Sequence, residues 1–494
     1  MSEEKNVVVI GAGIGGIATA AFLAKNGYSV SVFEKNSAPG GRCSNLVRDG
    51  HRFDLGATML LMPGIYKEVF GALGLDIEKA FRLKSMKSLY SIYYDDDSVL
   101  HFSSDKGRMK EQLEAIEPGS YSASEKYVKK GYDIYLESMD KLVGRNFCNI
   151  FQFATPANIP LLFRIKAFTT HFSYARKYFS HPHLLMAYTF QNIYVGQSPF
   201  DSPALFSMVP AAELTEGSFF PEGGMFEIAR VLIELATSYG VRFAYDTPVK
   251  SITVSGNRTE GIVLESGEQI RAGIVVANAD LPYVYRKMLP GSVRSALINR
   301  MKYSCSAICF HWGLDKTYPS IGHHSVFLSD SFKKGLETIF RDKSVSNTPS
   351  FYLHAPSRSD PAAAPPNQDT LSVIVAAGHL DPEKPQDWEK LKAAAREAVL
   401  KRISRLAGEN IENHIKFELA YTPETWEQAC NISRGSVFGS LGHNIFQMGY
   451  FRPHNRHDRY HNLYFTGGST HPGNGIPNVL LSAKLVSERI INNI

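Results

Sequence analysis

The sequence predicts an α/β fold, in which a mostly parallel, helix-flanked sheet is interleaved with a second, α+β domain and a helical part. Three observations predict it. Near the start, the strand-like run Val7-Val-Val-Ile10 leads through a glycine-rich turn into a helix-like segment, Ile14 to Asn26. Between residues 249 and 277 the period of the apolar residues changes to two, as in a β-meander. Near the end, Asn462-Leu-Tyr-Phe465 again meets a glycine-rich turn and then a helix. A chain of 494 residues exceeds one compact domain, so two or three units are expected.

Composition narrows the class. Hydrophobic residues are 44% and charged residues 20%, the balance of a folded globular protein. The net charge of +5 suits an anionic cofactor or an acidic membrane surface. Zinc-finger spacing and RNA-binding aromatic motifs are absent, so no nucleic-acid partner is expected. The five cysteines (Cys43, Cys148, Cys305, Cys309 and Cys430) are scattered and read as reduced thiols of a cytosolic protein. Cys305 and Cys309 read as core residues, with a redox pair as the alternative. Val7 to Ala24 carries no charge, but Gly11, Gly13, Gly15 and Gly16 interrupt it. It reads as strand, turn and helix rather than as a signal peptide or a membrane span.

The elements follow in order. Ser29 to Glu34 is a second strand, completing a βαβ start. Tyr90 to Leu100 reads as a hairpin around Asp95-Asp96-Asp97, and residues 105 to 215 as largely helical. Ala229 to Tyr239 is an amphipathic helix. Val249 to Val254, Gly261 to Leu264 and Gln269-Ile270 form the meander, and Ile274 to Ala277 is the next buried strand. Ser304 to Leu314 and Leu371 to Ala377 read as strands, separated by a Pro/Ala-rich loop at Asp360 to Asp369. Trp388 to Leu406 and Val479 to Asn492 read as helices. This layout assigns residues 1-75, 220-290 and 440-494 to a cofactor-binding domain. Residues 76-219 and 291-439 fall to a substrate domain, with 150-190 as candidate membrane-associating helices.

The glycine-rich turn carries chemistry. Gly11-Ala12-Gly13-Ile14-Gly15-Gly16 is a G-x-G-x-x-G run after a strand and at the start of a helix, the context of a Rossmann-like dinucleotide site. Gly11 allows the tight turn, Gly13 close approach to a pyrophosphate, and Gly16 close helix packing, with the helix N-terminus attracting phosphate. Glu34, closing the second strand, can accept from both ribose hydroxyls and would repel a 2′-phosphate. Gly40-Gly41-Arg42 adds a loop able to fold over phosphates, with Arg42 as a fork of donors. Gly56, Ala57 and Thr58 present small residues on which a flat ring could lie. At the other end, Gly468 in Thr466-Gly467-Gly468-Ser469 precedes Gly475-Ile476-Pro477 and a second helix start. Such a start suits the flavin carbonyl edge, where negative charge grows on reduction. Together these residues call for FAD. Val249 and Asn278 read as adenine-facing and backbone-facing contacts, or as ordinary sheet residues.

The pieces GAGIGGIATAAFLAKNG, SAPGGR, FDLGAT, VVANAD, FYLHAP and YFRPHNR…NLYFTGGSTHPGNGIP, in order along nearly the whole chain, resemble bacterial phytoene-desaturase-type carotenoid desaturases. The first pieces are shared by many flavin amine oxidases, whereas FRPHNR and THPGNGIP are more specific. Within the group the chain looks most like the branch that 3,4-desaturates 1-hydroxylated carotenoids. The resemblance implies an FAD-binding domain of the amine-oxidase (GR2) type and FAD as sole organic cofactor. It also implies a long apolar substrate tunnel and a cytoplasmic enzyme peripheral to the inner face of the cell membrane. A carotenoid would be the substrate, and a quinone or dioxygen the electron acceptor. Ser469 and Asn474 stand where phytoene desaturases tend to have Gly and Ala, and Glu222 where they often have a basic residue. These changes read as contacts to a hydroxyl or as drift. Alternatives are phytoene desaturation, another oxidase of this fold, and a non-catalytic lipid carrier.

Chemical reasoning then sets the roles. Desaturating an unactivated C–C bond needs a two-electron acceptor, so hydride transfer to flavin N5 is expected, with a base or water taking the neighbouring proton. His471, in the loop before the last helix, is the candidate for proton handling, or else it orients backbone. His454, His457 and His461 lack a supporting ligand frame, and no metal is expected there. Residues 160–185 intermix Phe163, Phe168, Phe172, Tyr174, Tyr178 and Phe179 with Arg164, Lys166, Arg176 and Lys177. That composition fits an interfacial membrane helix, or an aromatic core helix with a basic outer face.

Overall fold

Val7, Val8, Val9 and Ile10 are buried on both faces of a sheet, as an uninterrupted apolar run requires. The computed structural model describes residues 5–492 except 87, 148, 157 and 290–292, so Cys148 lies outside the described residues. The sheet is parallel and five-stranded, in the order Leu463–Phe465, Ile274–Ala277, Asn6–Ile10, Ser29–Phe33, Arg242–Ala244. Its strands come from distant parts of the chain. From the strand Asn6–Ile10 the order runs outward one way through the next two strands and the other way through the last two. The reversal falls between Asn6–Ile10 and Ile274–Ala277, which is where such sheets bind ligands, at the carboxyl ends of the strands. The helix Ile14–Lys25 is buried from Ile14 through Leu23, which explains its lack of charge.

A second sheet has seven strands, in the order Ile415–Tyr421, Ser306–Leu314, Asp369–Ala377, Phe351–His354, His324–Phe327, Ser88–Tyr93, Val99–Ser103. All its pairs are antiparallel except His324–Phe327 with Ser88–Tyr93. The predicted hairpin around Asp95–Asp97 forms its edge. The meander forms as Val249–Ser255, Arg258–Leu264 and Gln269–Arg271.

Several elements differ from expectation. The last helix starts at Ile476, three residues early, because Pro477 occupies its first turn without needing an N–H. Asp369 belongs to a strand rather than to the Pro/Ala-rich loop. The hairpin Asn45–Arg48 with His51–Asp54, and the strands His324–Phe327, Phe351–His354 and Ile415–Tyr421, were not evident from periodicity. His324–Phe327 and Phe351–His354 are too short and too fully buried to alternate. Residues 105–215 are helical, but after Ser120–Ser138 they break into short pieces: Ile150–Phe153, Asn158–Arg164, His171–Ala175 and Pro182–Ala187. No continuous interfacial helix spans 160–185. Tyr174 and Phe179 are 2% and 1% exposed, locked against Tyr127 and, for Phe179, Tyr188, so they are core residues and not membrane anchors.

Candidate active site

The site begins at the sheet's reversal. Gly11 and Asn278 follow adjacent parallel strands, and the Asn278 amide donates to the Gly11 carbonyl at 3.3 Å. The helix Ile14–Lys25 comes very close here: a Cβ on Gly16 would stand 2.1 Å from the Gly11 carbonyl oxygen, so no other residue fits. Asn278 thus packs against the backbone of the glycine turn. Glu34 is 6% exposed. One carboxylate oxygen accepts from the Ala12 N–H at 2.8 Å and the other from Asn36 N–H at 2.9 Å. Both oxygens are fixed, and each keeps a lone pair for a ribose hydroxyl.

The following loop crosses the same turn. The Gly40 N–H donates to the Ala12 carbonyl at 2.8 Å. Gly41 leads into Arg42, whose guanidinium donates to the Val437 carbonyl at 2.7 Å, tying the loop to a segment nearly 400 residues further along the chain. A Cβ on Gly56 would lie 2.2 Å from the Arg42 carbonyl oxygen, so the segment Gly56-Ala57-Thr58 can pass Arg42 only with glycine at position 56. From the far end, Gly468, Gly475 and Ile476 reach the same space, with Gly475 at φ +88° opening the last helix.

A cavity of about 780 Å³ joins these parts. Gly11, Gly13, Glu34, Gly41, Arg42, Gly56, Ala57, Thr58, Val249, Asn278, Gly468, Gly475 and Ile476 all line it. Ala12 and Gly16 hold its wall from behind. Away from the glycines the lining is apolar, with Phe153, Leu162, Ile165, Phe190, Ile193, Phe332, Leu336 and Ile339. Phe168, Phe446 and Phe451 line it too and are exposed, at 61%, 74% and 46%. Phe163, against Phe168, extends this rim. Phe446 and Phe451 lie outside the 150–190 segment that the sequence singled out.

The cradle fits a flavin dinucleotide. It offers a fixed carboxylate for ribose, a helix N-terminus and Arg42 for pyrophosphate, and a surface of small residues for a flat ring. A motif quoted only for its resemblance supplies a further part. Arg452 of FRPHNR is 1% exposed, and no carboxylate among the described residues pairs with it. It donates to the carbonyls of Gly468 (2.6 Å), Thr470 (3.0 Å), Gly442 and Gln447. Burial lowers its pKa to about 9. It holds the 466–475 loop by its carbonyls and places positive charge behind it. Asn455 of the same motif donates to the carbonyls of Phe465 and His471.

His471 lines the cavity, but its ring is engaged. Nε2–H donates to the Arg145 carbonyl at 2.9 Å, and burial lowers its pKa to about 4. The geometry favours loop orientation over proton handling, because a base this weak and this tethered holds a proton poorly. Ser469 accepts from the Leu281 N–H at 2.9 Å. Asn474 donates to the Phe438 carbonyl, while its own carbonyl oxygen is buried without a partner. Glu222 faces Lys84 at 3.2 Å and Arg82 at 3.8 Å and does not line the cavity, so it is a surface ion-pair residue and no hydroxyl contact. Cys43, Cys305, Cys309 and Cys430 are free thiols, so Cys305 and Cys309 form no disulfide.

A dinucleotide cradle opening into an apolar cavity defines a flavin-dependent oxidoreductase of apolar substrates. Comparison with known proteins is specific. Residues 14–491 match the flavin containing amine oxidoreductase family. A zeta-carotene-forming phytoene desaturase of Myxococcus xanthus is 39% identical over 99% of this chain and 94% of its own length. A 4,4'-diapolycopene oxygenase of Methylomonas is 30% identical over 99% of both chains. Among solved structures, a putrescine oxidase with putrescine bound superposes with a TM-score of 0.66 at 14% identity, covering 99% of this chain and 98% of that one. The chain belongs to the flavin-containing amine oxidoreductase family and, within it, to the carotenoid desaturases. It is an FAD-dependent oxidoreductase.

Proposed function

We propose that the protein desaturates a membrane-borne carotenoid, and that its reaction is 3,4-desaturation of a 1-hydroxylated carotenoid. The observation that carries the reading is the single cavity, polar and glycine-walled where the cofactor fits, apolar along the rest. Bound FAD supplies the two-electron acceptor that no side chain offers. Glu34 holds the ribose, and Arg42 with the helix N-terminus holds the pyrophosphate. Arg452 keeps the 466–475 loop in place. The apolar wall excludes water and aligns the polyene, so that one C–C bond meets the ring face. We assign residues 1–75, 220–290 and 440–494 to the FAD domain, and 76–219 with 291–439 to the substrate domain.

The hydroxyl reading rests on Asn474. Asn474 lines the cavity beside the loop that fits the flavin, and its side-chain carbonyl oxygen has no hydrogen-bond partner. In a 1-hydroxylated carotenoid the 3,4 bond lies close to the hydroxyl-bearing carbon, so a hydroxyl acceptor belongs near the ring. Phytoene is the second reading, favoured by the Myxococcus relative. Expression with a panel of acyclic and 1-hydroxylated carotenoids separates them by product mass and by red shift of the visible spectrum. Phytoene conversion with hydroxycarotenoids untouched would reject the first reading.

Among the described residues no helix is long and apolar enough to cross a membrane. The exposed rim of Phe163, Phe168, Phe446 and Phe451 supports docking of the cavity mouth onto a lipid surface, at the cytoplasmic face of the cell membrane. A membrane quinone, or dioxygen, would then take the electrons.

A further inference from the structure

Three histidines that neither the cofactor cradle nor the apolar wall uses meet at one end of the seven-stranded sheet. His324 opens the strand His324–Phe327 and stands opposite His354, which closes Phe351–His354. His323 precedes the first strand and turns back onto both. The ring centroids lie 4.2 Å (His323–His324), 4.8 Å (His323–His354) and 5.3 Å (His324–His354) apart. Phe220 packs edge-on against His323 and His354 and closes the group off from solvent. Exposures are 8%, 3% and 0% for His323, His324 and His354.

We propose that His323, His324 and His354 form a binding site for one borderline first-row divalent cation of the zinc type. One ligand nitrogen from each ring lies within 4.8 Å of the others. The His323 and His354 Nε2 atoms are 3.2 Å apart. Two nitrogens sharing one ion at about 2.0–2.1 Å with tetrahedral angles stand about 3.3 Å apart, so this pair already has the ligand spacing. Small ring rotations bring in the third. His324 Nε2, His323 Nδ1 and His354 Nδ1 are buried with no hydrogen-bond partner. Of these atoms, an ion held by the His323 and His354 Nε2 atoms would give His324 Nε2 its missing partner.

The surroundings suit the ion. Burial, the largest cause, lowers all three pKa values, so each ring is neutral, the form that binds metal. Tyr352 Oη bonds His324 Nδ1 at 2.6 Å and Thr58 Oγ1 at 2.7 Å. A ligand histidine usually has its second nitrogen fixed in this way. Arg358 and Arg52 approach the cluster, but each is neutralised, by Asp369 at 2.6 Å and Asp360 at 2.5 Å. An all-imidazole donor set excludes magnesium and calcium, which take oxygen ligands. Tyr352 and Thr58 also line the main cavity, so the site would brace the wall beside the proposed flavin position.

Elemental analysis of the FAD-loaded, tag-free protein after gel filtration without chelator tests this. About one zinc per chain is expected, or uptake of about one on titration with zinc chloride, with visible absorption bands when cobalt(II) is used. H324Q and H354Q should lower occupancy about tenfold or more, while H454Q leaves it unchanged. Should both cluster variants fail to fold, the wild type decides: its Tm should rise with zinc and fall with EDTA. No metal in the purified wild type together with no zinc-dependent Tm shift overturns the site. So does a crystal structure, grown with zinc, that shows only a water among the three rings. All readouts are independent of desaturase activity, so failure of the carotenoid reading leaves the test intact.

Discussion

The two ends of the cavity are built by opposite means. At the cofactor end, position is set by backbone. Gly16 and Gly56 leave no room for a side chain, Glu34 is fixed by two N–H groups, and Arg452 grips the 466–475 loop by its carbonyls. At the substrate end, side chains from separate segments supply only shape and apolarity. Specific hydrogen bonds tolerate little change, whereas dispersion and burial are shared among many atoms. Substitutions at the first end should therefore be severe and local, and those at the second graded.

The largest effect is expected from Gly56→Val. Its side chain would enter the Arg42 carbonyl, so the protein should lose its yellow colour or fail to fold; a fully flavinylated, stable variant would break the contrast. Next is Arg452→Gln, which leaves four carbonyls short of donors. Leaving a buried acceptor unsatisfied costs about 1–3 kcal/mol, read as a lower Tm, with weaker FAD retention on a desalting column. Arg452→Lys should rescue little, having no planar fork. Glu34→Gln should raise the FAD dissociation constant by about 10- to 100-fold, the scale of a charge-assisted hydrogen bond, measured by fluorescence quenching. Phe163→Ser with Phe446→Ser should reduce liposome flotation while leaving bound FAD unchanged, each ring contributing about 1.5–3 kcal/mol of burial in lipid. Unaltered flotation would detach the rim from membrane binding.

A separate effect is graded with pH. His171, His311, His379 and His471 are buried neutral, and desolvation lowers each pKa from 6.5 to about 4. The unfolded chain binds more protons between those values, so stability is fully present above about pH 6.5 and lost as pH falls toward 4. Differential scanning calorimetry from pH 7 to 4.5 should show a falling Tm. His471→Asn should flatten that fall slightly and retain most turnover; loss of turnover with an unchanged flavin spectrum would restore His471 as a proton carrier.

Legibility followed contact range. The glycine turn, the second strand and Glu34 lie within one βαβ unit, where local spacing encodes geometry. Tyr174 and Phe179 stayed open between membrane and core because composition cannot show Tyr127 and Tyr188 waiting behind them. Phe446 and Phe451 went unseen because they join the rim from a loop far along the chain. His323, His324 and His354 carry no ligand spacing in sequence, since strand pairing alone brings them together.

By itself, then, the sequence determined the parallel-sheet start, the flavin cradle at both ends of the chain and the kinship with carotenoid desaturases. Each depends on glycines, charges or motifs read at short range. Only the tertiary structure decided which aromatics face solvent, why Arg452 matters and that His471 is tethered. Those properties depend on burial and on partners hundreds of residues away, and burial sets the cost of every charge and the use of every ring.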